Sequence, residues 1–424
     1  MTPEIKQRIE QIRRGEVPEG YEKKRTVVIP QQWRLPQIKD IASISSGSTP
    51  NRNNSEYWNG NIPWVTTGEL SSGHVNHTSE LITVKAVKEA KMRIYPQGTL
   101  LMAMYGQGKT RGTVAILEIA AAVNQACAAI TVKDGKSKFL FYQLKNSYQD
   151  IRKLSNTGNQ ENLNADIIKT YQVPWAPDEE QERISTILTT QDRVIELKEK
   201  RLAEKQRQKK YLMQQLLTGK KRLPGFSGEW KNIKLCEVLS ERKEKNVEQN
   251  LRICSVAVLK GVVDQVEHLG RSYAANDTSN YSVAHYGDII YTKSPTGDFL
   301  YGIVKQNLLQ ETVAVSPLYG VFTPMTFGLG YFLHTYFQSA ICARNYLLPI
   351  VQKGAKNTIN ITNDTFISSK LYLPLDVEEQ KAIADTFIAA DREINLLQQD
   401  IEQEKQKKKA LMQLLLTGIV RVKT

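Results

Sequence analysis

Apolar positions along the chain follow two periods, and each period marks a different kind of element. Over residues 184–216, Ile184, Leu188, Ile195, Leu202, Leu212 and Leu216 fall on one heptad face, with Lys209 standing in the seam. Residues 383–415 repeat the pattern with Ile383, Phe387, Ile394, Ile401, Leu411 and Leu415, flanked by Ala390 and Leu397 and interrupted by Lys408. A seam of this kind predicts a long helix packed on another helix. Pro177-Asp178 followed by Glu179 and Glu180 is a helix start, the carboxylates lying where the helix dipole favours them, and Gly219 is the matching stop. About 38 residues at 1.5 Å each make a rod of roughly 57 Å. Elsewhere, short apolar runs bounded by Gly, Pro or Asn predict strands: Thr99 to Met104, Thr113 to Leu117, Asp288 to Tyr291 and Tyr301 to Val304.

The helical passage is written twice without insertion or deletion. Glu179-Glu180-Gln181 recurs as Glu378-Glu379-Gln380, Asp192-Arg193 as Asp391-Arg392, and Leu216-Leu217-Thr218-Gly219 as Leu415-Leu416-Thr417-Gly418, always 199 positions apart (for example 378 − 179). Two copies of this length describe a duplicated half-molecule rather than a solenoid. The intervening segments also open alike, with Trp33 ahead of Ile38 and Trp230 ahead of Leu235, and Gly98 and Gly112 answer to Gly287 and Gly302. The expected organisation is an N-terminal segment (1–32), a first mixed α/β head (33–176), a central helix region (177–222), a second head (223–376) and a second helix region (377–424). Helices joined through a globular segment are expected to pack as an antiparallel pair, giving a pseudo-twofold molecule.

Composition adds a direction. The 424 residues carry a net charge of +13, which favours a polyanionic partner. Residues 198–222 hold ten Lys or Arg against Glu199 and Glu204, a run suited to a solvated helix face or to backbone phosphates. Four scattered cysteines suggest neither a disulfide framework nor a zinc site, and a reducing cytoplasm fits. A charged N-terminus without an apolar stretch, and no run of eighteen apolar residues, point to a soluble protein that is not exported and has no membrane contact.

No catalytic constellation emerges. Gly106-Gln107-Gly108-Lys109-Thr110 resembles the end of a phosphate-binding loop, but the required earlier glycine is Ala103. His74 and His77 lack a third ligand, so no metal is expected. Base recognition calls instead for amides, cations and hydroxyls on exposed loops. Thr49, Asn51, Arg52 and Asn53 form one such loop, and Tyr105, Gln107, Lys109 and Arg111 a second, with Asn159 and Gln160 as further candidates later in the first head. In the second head Lys293, Ser294 and Thr296 occupy the equivalent hairpin loop, and Lys353, Lys356 and Asn357 follow the match of Gly158 with Gly354.

The motifs Gly47-Ser48-Thr49-Pro50, Ile62-Pro63-Trp64-Val65, Tyr105-Gly106, Asn124-Gln125-Ala126-Cys127 and Pro177 through Gln181 resemble the specificity subunit of Type I restriction-modification systems over nearly the whole chain. The resemblance implies two target recognition domains joined by an antiparallel coiled coil, each reading one half of a bipartite, asymmetric site on double-stranded DNA. It further implies no chemistry and no cofactor on this chain. S-adenosylmethionine is expected on two docked methylation subunits, and ATP and magnesium on motor-nuclease subunits. The second head lacks clear copies of Gly-Ser-Thr-Pro and Ile-Pro-Trp-Val, Arg252 to Lys260 standing where the latter should be. The competing reading is a coiled-coil scaffold whose heads bind other proteins.

Overall fold

The structure is a computed structural model that describes residues 2–106, 108–154, 162–271, 274–353 and 359–422. Two helices dominate it, Asp178–Leu216 and Val377–Leu416, of 39 and 40 residues. Their starts and lengths match the duplicated pattern. The chain divides into two compact units, Met1–Lys198 with Asp400–Thr424, and Glu199–Gln399, so the division falls inside both helices.

In the first unit an antiparallel sheet runs Ala42–Ser46, Cys127–Val132, Leu100–Ala103, Val114–Leu117, with His74–Val75 added in parallel at the edge. Leu100–Ala103 and Val114–Leu117 are apolar at every position because both faces are covered. Leu100, Met102, Val114 and Ile116 face a core built with Phe139, Leu140, Ile184, Leu188 and Leu415. Leu101, Ala103, Ala115 and Leu117 face a second core with Val65, Leu70 and Val75. A smaller sheet orders Glu80–Ile82, Trp58–Val65 and Ala122–Val123. The first 32 residues supply a helix, Pro3–Arg13, and a hairpin of Tyr21–Lys24 with Val27–Pro30. Both are fastened to the end of the second long helix: Arg8 donates to the Ile419 carbonyl at 2.6 Å and Tyr21 to that of Gly418 at 2.7 Å.

The second unit repeats the plan. Leu239–Glu241, Gly320–Pro324, Ile289–Tyr291 and Val304–Gln306 form the sheet in the same spatial and connection order. The last strand starts at Val304 rather than Tyr301, because Tyr301 and Gly302 complete the preceding loop, where the Tyr291 hydroxyl donates to the Tyr301 carbonyl at 2.7 Å. Beside the sheet, Arg252–Ala257 pairs in parallel with Val313–Val315, as Trp58–Val65 does with Ala122–Val123. The Arg252 segment therefore stands where Ile-Pro-Trp-Val stands in the first head, with other side chains. The glycine correspondence also holds: Gly98 and Gly287 have φ of 86° and 93°, Gly112 and Gly302 of 82° and 98°.

The helices pack antiparallel within each unit. Ile184, Leu188, Leu415 and Leu416 lie in the first unit's core, and Leu216, Ile383 and Phe387 in the second's, with Leu212 packed against it. Ile195, Ile394 and Ile401 are buried, while Leu202 and Leu411 are half-buried. The two seam lysines are accounted for. Lys408 pairs with Asp192 in the first unit and Lys209 with Asp391, at 2.5 Å, in the second. Each aspartate also accepts a tyrosine hydroxyl from its head, Tyr142 to Asp192 at 2.8 Å and Tyr331 to Asp391 at 2.9 Å.

A second anchor explains the repeated Glu-Glu-Gln. Glu180 and Glu379 are not solvated first-turn carboxylates but are buried, at 0% and 1% exposure. Glu180 accepts from the Trp33 indole at 2.9 Å and from Arg421 at 2.7 and 2.9 Å. Glu379 accepts likewise from Trp230 at 3.1 Å and from the Arg222 guanidinium. The following glutamines, Gln181 and Gln380, donate to the carbonyls of Ala176 and Pro374. Burying a carboxylate is tolerable only with such charge-assisted partners.

Candidate nucleic-acid interface

Four motifs scattered over some eighty residues of the first head come together at one end of its sheets. Gly47 lies so close to the next strand connection that a Cβ would sit 2.0 Å from the Val123 carbonyl oxygen and 2.5 Å from that of Asn124. Only glycine fits, and Ser48 donates its backbone N–H to the Val123 carbonyl at 2.9 Å. Asn124 in turn donates its backbone N–H to Val65 at 3.0 Å, and Met104, just before Tyr105, donates to Ala126 at 2.8 Å. The indole of Trp64, 1% exposed, donates to the Ser48 carbonyl at 3.1 Å. The motifs Gly-Ser-Thr-Pro, Ile-Pro-Trp-Val, Tyr-Gly and Asn-Gln-Ala-Cys are thus one structural unit. Cys127 within it is a packing residue, its thiol pushed up to about 12 by burial.

The loop on this base is polar and tied by its own hydrogen bonds. Asn51 and Asn53 are exposed, and the Asn51 side chain accepts the Asn53 backbone N–H at 3.0 Å, an Asx turn. Thr49 is half-buried and donates to the Gln125 amide oxygen. Gln125 is itself exposed and was absent from the candidates drawn from sequence. Its place in the Asn-Gln-Ala-Cys motif was the sequence signal, and its pairing with Thr49, 76 residues away, brings its side chain into the group. Arg52 is exposed at its edge, but its fork is engaged by Glu80, the longer bond being 3.0 Å, and its guanidinium lies 4.2 Å from the Trp58 ring centroid and 4.9 Å from that of Trp64. In this geometry it braces the loop and offers little of its fork to a base.

The second loop is a hairpin connection, not the strand-to-helix turn that a phosphate-binding loop requires. Tyr105 is 41% exposed and Lys109 is exposed. The Lys109 carbonyl accepts from the Tyr148 hydroxyl at 2.6 Å, so the backbone is held while the ammonium points outward. Arg111, by contrast, is buried, its carbonyl accepting from Arg152 at 2.9 Å, and it belongs to the loop's base. Gln107, Asn159 and Gln160 lie outside the described residues.

The second head builds the equivalent hairpin loop between Ile289–Tyr291 and Val304–Gln306. Ser294 and Thr296 are exposed, and Thr296 and Phe299 exchange backbone hydrogen bonds at 3.0 and 3.1 Å. Lys293 is half-buried with φ of 55°, and burial lowers its ammonium pKa against the opposing pull of Glu241. A Cβ on Gly302 would lie 2.9 Å from the Lys293 backbone nitrogen, so this glycine too is imposed by close approach. Lys356, Asn357 and the side chain of Lys353 lie outside the described residues.

The basic run 198–222 looks different once its partners are known. Lys198, Arg201, Lys205, Lys209 and Arg222 all pair with carboxylates of the second helix. Half of the run is therefore paired with the second helix, four of its members directly from the first helix. Among the described residues no group of three His, Cys, Asp or Glu is placed to hold a metal, and no helix is long and apolar enough to cross a membrane. His74 bonds Glu118 and His77 bonds Asn76, as polar loop residues do.

Fold and site together define a two-headed binding protein: one head plan used twice, each head seated on an antiparallel helix pair and tipped with loops rich in amides, hydroxyls and cations. Comparison with known proteins agrees. The family described as the Type I restriction modification DNA specificity domain matches at residues 30–206 and again at 229–406. The chain belongs to this family and carries its domain twice. A Type I restriction enzyme specificity subunit of Methanocaldococcus jannaschii, MjaIX, is 35% identical over 178 residues, 41% of this chain and 40% of that one. Another from the same organism, MjaVIII, is 23% identical over 96% of this chain and 97% of its own. The fold is shared with the S subunit of a Type I restriction-modification system from M. genitalium, at a TM-score of 0.58 and 12% identity over 93% of this chain and 98% of that one.

Proposed function

We propose that this chain supplies the DNA address of a Type I restriction-modification complex, each head reading one half of a bipartite, asymmetric site and the helix pair setting the distance between halves. The observation that carries the reading is the convergence of four separate motifs on one braced, polar loop cluster in the first head, with the same hairpin rebuilt from other residues in the second. Thr49, Asn51, Asn53, Gln125, Tyr105 and Lys109 form the reading surface of the first half, and Lys293, Ser294 and Thr296 that of the second. Because the two loop sets differ, the two half-sites differ.

The chain itself performs no catalysis and holds no cofactor. Its family membership favours docking of two methylation subunits that bring S-adenosylmethionine, and of motor-nuclease subunits that use ATP and magnesium, in the cytoplasm. A mismatched base pair in either half costs about 1 to 3 kcal/mol, so both halves must match for full affinity. The test is genome-wide mapping of methylated adenines in cells carrying this chain and its methylation subunit, with and without exchange of residues 33–176 for another head. A split asymmetric motif of which the exchange alters one half supports the reading. Methylation that does not depend on the chain overturns it in favour of a protein-binding scaffold.

A further inference from the structure

The two long helices are apolar at the same seam positions, so the seam alone does not say which helix should pair with which. Two first helices from different chains, or two second helices, would bury the same kind of stripe. The positions that break this degeneracy are the ones where the copies differ. Gln191, Val194, Lys198, Arg201 and Lys205 correspond, 199 positions on, to Ala390, Glu393, Leu397, Asp400 and Glu404.

The polar residues at these differing positions make cross-helix contacts of their own. In the first unit Lys198 bonds Asp400 at 2.8 Å and Glu404 at 2.9 Å, and the Gln191 amide donates to Glu404 at 2.6 Å. In the second unit Arg201 and Lys205 reach Glu393 at 3.4 and 2.9 Å. The positions retained in both copies, Asp192 and Lys209 with their counterparts Asp391 and Lys408, form the same cross-helix pair in either combination. Retained pairs hold any two helices in register, whereas the diverged ones discriminate.

The discrimination follows by moving each contact back or forward by 199 positions. In a pair of first helices Lys198 would face Arg201 and Lys205 (400 − 199 and 404 − 199), all cationic. In a pair of second helices Glu393 would face Asp400 and Glu404 (201 + 199 and 205 + 199), all anionic. Like charges so placed disfavour the pairing, most at low salt.

We infer that residues 191–205 and 390–404 carry a charge code that makes each long helix select the other and reject a copy of itself, so that a first head is always joined to a second. The partner surface is thus the diverged half of a chain of this kind, and two identical halves are excluded. The code acts on assembly alone and does not depend on what the heads bind.

The experiment uses full-length chains. The all-acidic chain carries Gln191→Ala, Val194→Glu, Lys198→Leu, Arg201→Asp and Lys205→Glu; the all-basic chain carries Ala390→Gln, Glu393→Val, Leu397→Lys, Asp400→Arg and Glu404→Lys. A third chain carries both sets, exchanging the code between helices. Each single set is expected to lower the melting temperature by roughly 5 to 10 °C at low salt, with recovery near about 1 M salt, where screening reaches ~3 Å. The exchanged chain is expected to melt like the parent. Mixed after unfolding and refolding, differently tagged all-acidic and all-basic chains are expected to co-purify as a one-to-one complex that neither forms alone. The inference is overturned if either single set melts like the parent at low salt, if the exchanged chain is no better than the single sets, or if the mixed chains stay apart.

Discussion

The Trp-Glu-Arg anchor offers the most direct test of how the heads are held. Glu379 is 1% exposed in its side chain and accepts from Trp230 at 3.1 Å and from both Arg222 nitrogens that face it, while Arg222 keeps 24% of its own side chain exposed. Arg222→Ala leaves a carboxylate shut away from water with the indole of Trp230. Breaking a buried pair in this way costs about 3 to 5 kcal/mol. Glu379→Gln should cost less, about 1 to 3 kcal/mol, because its carboxamide still accepts from the indole and Arg222 can turn to water and to the Gly228 carbonyl it already reaches at 2.7 Å. The double variant removes the stranded charge and should therefore be more stable than Arg222→Ala alone, by about 2 kcal/mol. Urea unfolding followed by tryptophan fluorescence reads all three, Trp230 being part of the anchor. The reasoning is refuted if Arg222→Ala costs less than about 1 kcal/mol, or if adding Glu379→Gln brings no recovery.

Other outcomes follow from the same geometry. Gly47→Ala drives a methyl into two backbone carbonyls; methylation mapping should show the first half of the target degraded and the second intact, and equal damage to both would contradict the loop assignment. Arg52→Ala removes a brace rather than a base contact, so it should weaken binding across all sequences of that half without relaxing one base position, as read by competition binding with single-base variants. Lys305 is 4% exposed, and burial, with Lys209 adding to it against Asp391, brings its pKa down to about 8 from 10.5. The unfolded chain then binds more protons between those values, so this lysine adds stability as pH rises from about 8 toward about 10.5. Subtracting the pH profile of Lys305→Met from that of the parent should isolate that rise, and a flat difference would contradict it.

Sequence exposed the parts of this molecule whose signals are local or repeated. A heptad seam is legible because its period lies within one element, and the fixed 199-residue shift tied the two copies together. Hairpins were legible where Gly98, Gly112, Gly287 and Gly302 supply the left-handed turns that other residues resist. What sequence withheld was partnership across distance. Glu180 looks like an ordinary first-turn acid until Trp33, 147 residues earlier, and Arg421, 241 later, are seen to meet it. The basic run likewise reads as a solvated face or a phosphate contact until the facing helix takes half of it. Arg52 shows the same limit on a smaller scale, since an arginine beside two asparagines gives no hint that Glu80 will occupy its fork.

The doubled anchors mean that the attachment of a head is standard and its reading loops are not. Tyr142 and Trp33 meet Asp192 and Glu180 in one unit as Tyr331 and Trp230 meet Asp391 and Glu379 in the other. A replacement head that brings a phenol and an indole at these two places, along with an apolar face to pack on the helices, meets the same anchors in either seat whatever its loops contain. Exchange of a whole head at these seats would therefore change its loops while leaving the two anchors in place.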